Sequence, residues 1–132
     1  VSNRASGTFD VKLNALDPED QAEGSSLGRR SIEKQFHGDL AGLSRGQMLT
    51  AGGSVKGSAG YVALERISGT LHGRRGSFVL QHSGTLNRGV PQQSVTVVPD
   101  SGAGELLGLA GSMTIIIGGG QHGYEFDYTL GS

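Results

Sequence analysis

The chain has no cysteine, so disulfides and thiolate metal sites are excluded. It has no apolar run near the ~20 residues of a membrane-spanning helix; the longest, Met113–Ile117, is the size of a strand. It has no long block of charge of one sign. With 11 basic and 12 acidic residues and a formal charge of −1, it offers no basic face for nucleic acid. Helical periodicity is also scarce. No signal-peptide pattern opens the chain at Val1, which makes a cytoplasmic bacterial-type protein the expectation. What the chain has in excess is glycine, 24 in 132 residues against a usual share of about 7%. The glycines follow no three-residue period, which excludes collagen. They punctuate short β-branched runs, the pattern of tight turns and strand bends. The length fits one domain, residues 1–132.

The densest polar chemistry lies in Gly60–Leu86, GYVALERISGTLHGRRGSFVLQHSGTL. Two β-rich runs, Tyr61–Ser68 and Ser77–Ser83, flank a Gly- and Arg-rich turn at His72–Gly76, which reads as a hairpin. Around it the other strands fall in order. Gly7–Leu16 alternates Phe9, Val11 and Leu13 with Thr8, Asp10 and Lys12. Asp17-Pro18 is expected to cap a short helical turn, within an acidic loop reaching Leu27 that suits a movable mouth or lid.

Arg29–His37 sets Arg30, Ile32, Lys34 and Phe36 on one face and Ser31, Glu33, Gln35 and His37 on the other. Leu43–Ala51, Gln93–Val98, Ser112–Gly118 and Gly123–Leu130 complete the set, the last with Tyr124, Phe126, Tyr128 and Leu130 on one face. Ser101–Gly111 is too broken by glycine for a helix and reads as an irregular segment in which Glu105 bonds amides of its own turn.

Eight consecutive strands with short connections predict an all-β fold, an eight-stranded antiparallel up-and-down β-barrel, because closure removes exposed edges. An interior of that size is filled by side chains or holds one small ligand. Val62, Leu64, Val95, Val97 and Ile115–Ile117 make several strands apolar on both faces. The outer wall is therefore expected to be covered by a second subunit, as a homodimer.

The runs Gly60–Arg66, Ser68–Leu71, Gly73–Gly84 and Ser101–Gly111, flanked by Phe36-His37-Gly38-Asp39-Leu40 and Gly123–Leu130, resemble an uncharacterised bacterial domain family with an allene-oxide-cyclase-like barrel. That resemblance implies a barrel, often oligomeric, with no metal and no organic cofactor. It implies no reaction. Distant members of the barrel superfamily catalyse cyclisations or isomerisations in the lumen, an analogy of fold alone. No site motif of the plant enzymes is present, and no catalytic residue is carried over.

The candidate chemistry depends on the hairpin register. An even-length turn puts Glu65 and His82 on one face, with Tyr61, Ala63, Ile67, Phe78 and Leu80; an odd or bulged turn gives Glu65 the company of Gln81 and Val79. The even turn is taken here. A lumenal carboxylate has a raised pKa unless paired, and it then suits general acid or base work. The alternative is a salt-bridged or solvated Glu65 and a structural His82.

The candidate catalytic residues are thus Glu65 and His82, and the candidate ligand-binding residues are Tyr61, Gln81 and Tyr128. Glu33 and His37 read as a solvated outer face. His37, His72, His82 and His122 form no H-x-H or H-E-x-x-H pair, so no metal site is assigned. Gly118–Gly120 lacks a P-loop lysine, and Ser83 lies outside a G-x-S-x-G elbow. The expected role is binding of a small apolar or amphipathic molecule, as a cofactor-free isomerase or cyclase. The other expectations are a non-catalytic carrier and a closed-packed structural oligomer.

Overall fold

The computed structural model describes residues 3–131 as strands and turns, with no helix among them. In chain order the strands are β1 (Asn3–Ala15), β2 (Asp20–Ala22), β3 (Ser25–Gly38), β4 (Leu40–Gly52), β5 (Ala59–Leu71), β6 (Arg74–Asn87), β7 (Val90–Val97), β8 (Ala103–Gly104), β9 (Leu109–Gly118) and β10 (Gln121–Leu130). Eight of them close an antiparallel barrel in the cyclic order β1, β3, β4, β5, β6, β7, β9, β10. The short β2 extends one end of β3, and β8 adds to β6. The seam between β7 and β9 is the thinnest, a single paired position, Thr96 with Ser112.

The side-chain period of two assigns the faces. Phe9 on β1, Ile32 and Phe36 on β3, Ile67 on β5, Phe78 and Leu80 on β6, and Tyr124 and Phe126 on β10 are buried inside. Phe78 and Phe126 stack across the interior with centroids 5.8 Å apart. The middle of the barrel is thus a packed core. Leu106, from the segment after β7, and Leu109, at the start of β9, seal one end with Leu40, Leu71 and Tyr128.

The central hairpin has the even register. Leu71 pairs with Arg74 across a two-residue turn, so Glu65 pairs with Leu80 and Ala63 with His82. His72 and Gly73 both take positive φ, 47° and 80°, as a turn matched to the twist of the strands requires. Glycine inside the strands also has a structural reason. Gly42 and Gly69 face each other on β4 and β5, and a Cβ on either would strike the opposite backbone. Glycine there lets the sheet bend sharply enough to close.

Three local expectations are corrected. Asp17 caps no helical turn; its carboxylate accepts from Arg29 Nε at 2.9 Å. The acidic stretch is not an open loop throughout, because β2 folds back on Ser25–Leu27. Glu105 bonds the backbone amide of Arg75 on β6, not its own turn, at 3.0 Å. Among the described residues no helix is long and apolar enough to cross a membrane.

Candidate functional site

At the end of the barrel opposite Leu106 the interior side chains thin out. β4 and β5 bring Met48, Thr50 and Tyr61 to its lining, β1 and β3 bring Leu13 and Arg30, and β7 and β9 bring Gln93 and Ile117. They enclose a mostly apolar mouth of about 470 Å³. This volume lies in the range of small-molecule sites. A wider hollow of about 650 Å³ lies on the outer wall over Leu49, Val62, Leu64 and Gln81. It is a depression in the exposed sheet face and carries no titratable side chain.

Below the mouth lies a buried polar cluster. Glu65 from β5 is 1% exposed and His82 from β6 is 5% exposed. The Glu65 Oε2 atom accepts from His82 Nε2 at 2.5 Å and from Lys34 Nζ at 2.8 Å. Lys34 reaches the cluster from β3, and its ammonium also lies 4.8 Å from the centre of the Phe9 ring. Burial by itself drives the Glu65 carboxyl upward. The hydrogen bond from His82 and the charge of Lys34 outweigh it and hold the pKa at about 2, against an ordinary 4.5. Glu65 is therefore an anion, an acceptor only, and the shared proton resides on His82 Nε2. Nδ1 remains as the imidazole's second site. Glu65 Oε1 and Ser44 Oγ are buried without a hydrogen-bond partner among the described residues.

The expected site residues divide. Glu65 and His82 meet as the even turn predicts, and the condition attached to a raised pKa, that the carboxylate be unpaired, is not met. Tyr61 lines the mouth, with its ring centroid 6.4 Å from that of His82 and its hydroxyl accepting from Gln93 Nε2 at 2.5 Å. Gln81 is displaced from the group. It alternates with the inward Leu80 and His82 and so stands on the outer wall. Tyr128 points inward but at the sealed end, where its hydroxyl meets His72 Nδ1 at 2.5 Å.

Glu33 and His37 lie outside as read, and His37 Nε2 meets Asp10 Oδ2 at 3.0 Å. The residue the sequence did not single out is Lys34. Its signal is a lysine alternating with Ile32 and Phe36; its partner is a whole strand away and appears only once β4 sets β3 and β5 on either side of it.

A comparison with known families matches residues 5–128 to the family described as "Protein of unknown function (DUF3224)". No curated protein matches the sequence. Among solved structures, the chain is similar to a protein of unknown function from that family in Shewanella oneidensis MR-1. The two are 47% identical over 100% of both chains, with a TM-score of 0.94. The expected kinship with an uncharacterised bacterial barrel family is thereby established: the chain belongs to the DUF3224 family.

Proposed function

We propose that the mouth of the barrel binds a small apolar or amphipathic molecule and that His82 moves a proton on it, a cofactor-free isomerisation or cyclisation. The observation that carries this reading is an apolar hollow of about 470 Å³ that only the Tyr61 ring separates from the imidazole of a buried carboxylate–imidazole pair. The roles differ from those of two interchangeable carboxylate and imidazole bases. Glu65, held as an anion, orients the imidazole and stabilises the imidazolium that forms when Nδ1 accepts a proton. Lys34 balances the carboxylate charge when the imidazole is neutral. The apolar walls exclude water and hold the guest in register with the ring.

A carrier without turnover is the second reading, and the Tyr61 ring covering His82 favours it. Native mass spectrometry of the protein, purified without denaturation, is expected to show a retained guest released on unfolding. With that guest, His82→Ala and Glu65→Gln are expected to lose turnover while keeping binding. Equal turnover in both variants would remove the proton-handling role, and binding with no turnover in any form would leave the carrier.

A further inference from the structure

The floor of the mouth is occupied by the protein's own phenol. A Cβ at position 84 would collide with the Tyr61 ring, so Gly84 is what lets the ring lie down on β6. The Gln93 amide donates to the phenol oxygen. The His82 imidazole lies beneath, tilted 48° to the ring. Tyr61, Gly84 and Gln93 all line the mouth, so an entering guest meets the ring and the groups it lies on together. A bare backbone, an imidazole and one amide donor are the complement of a flat ring carrying one oxygen.

We propose that this slot is a ligand subsite held shut by Tyr61. The ligand is a planar unsaturated ring bearing a hydroxyl or carbonyl oxygen, and it takes the place of the tyrosine ring. Its oxygen accepts from Gln93 Nε2 and its ring lies against His82. The proposal rests on the mouth being a binding site, as argued above. It explains how a guest reaches an imidazole that is otherwise shielded, since the molecule that enters replaces the shield. Tyr61 is tethered to its own slot and competes with every guest, so the closed form lowers the apparent affinity.

The test titrates p-cresol, and toluene as its oxygen-free counterpart, against the wild type, Tyr61→Ala and Gln93→Leu, followed by backbone amide shifts. Tyr61→Ala is expected to bind p-cresol about tenfold more tightly than the wild type does. It is also expected to prefer p-cresol to toluene by about tenfold, the worth of one hydrogen bond. Gln93→Leu, an exposed rim position, is expected to abolish the preference. Bound p-cresol is expected to slow carbethoxylation of His82 in Tyr61→Ala while leaving the outer His37 unchanged. If Tyr61→Ala does not fold, the p-cresol preference of the wild type and its loss in Gln93→Leu make the same comparison. Equal binding of the two probes at the mouth overturns the subsite and leaves the mouth reading standing. Binding of neither at the mouth overturns both.

Discussion

Glu65 carries three interactions at once, a bond to His82, a bond to Lys34 and a place in the packed interior. Breaking a buried ion pair costs more than replacing it, because the remaining charge is left without compensation. Glu65→Gln strands the Lys34 ammonium and is expected to lower stability by about 3–5 kcal/mol in urea denaturation. Lys34→Met combined with Glu65→Leu is expected to recover most of that loss, and an additive loss would show that the pair is not coupled. The pH dependence follows from the depressed pKa of about 2. A group held below its unfolded value contributes its full stability above that value, near 4.5, and loses it as pH falls toward 2. Acid unfolding of the wild type is expected to steepen across that window, and the double variant is expected to lack this component. The Glu65–His82 pairing was legible in the sequence because one short turn sets it. Lys34 was legible only as an odd polar residue on an apolar face, since nothing local names a partner 31 residues away.

Glycine has two separate uses in the strands and turns. Gly69 has no space for a side chain, because Ala41 O and Gly42 Cα occupy the place of a Cβ. Gly73 has open space but a φ of 80°. Gly69→Ala is expected to cost about 1–3 kcal/mol through forced separation of β4 and β5. Gly73→Ala is expected to cost about 1–2 kcal/mol through backbone conformation alone. Amide exchange separates the two. Gly69→Ala is expected to deprotect the β4–β5 pairing and Gly73→Ala to leave it protected, and equal protection in both would contradict the assignment. The sequence showed that glycine bounds the strands, and the alternation of Tyr124, Phe126 and Tyr128 placed β10 correctly. It did not show which glycines lie inside strands as bends, because that depends on which backbone comes opposite. It also gave Tyr128 no position along the barrel axis: the period of two names a face and not an end.

The whole molecule has a filled middle, a sealed end and an open mouth. Of the two interiors expected, filled by side chains or open to a small ligand, the middle is the first, with aromatic residues from β1, β3, β6 and β10 packed among aliphatic ones, and only the mouth leaves open space. Outside, Leu43, Leu49, Val62 and Leu64 on β4 and β5 are 62, 54, 51 and 54% exposed. Grouped exposed apolar residues of this kind are the surface that the expected second copy would cover. Sedimentation is expected to show a dimer that dissociates in Leu64→Lys while the barrel's circular dichroism is kept; a monomer at every concentration would refute the pairing. The mouth, and not this outer wall, is the proposed seat of the small molecule. A titration with 1-octanol, followed by backbone amide shifts, distinguishes the two surfaces. Saturable shifts are expected at Thr50, Tyr61, Gly84 and Gln93; shifts confined to Leu49, Val62 and Leu64, or none that saturate, would refute binding at the mouth.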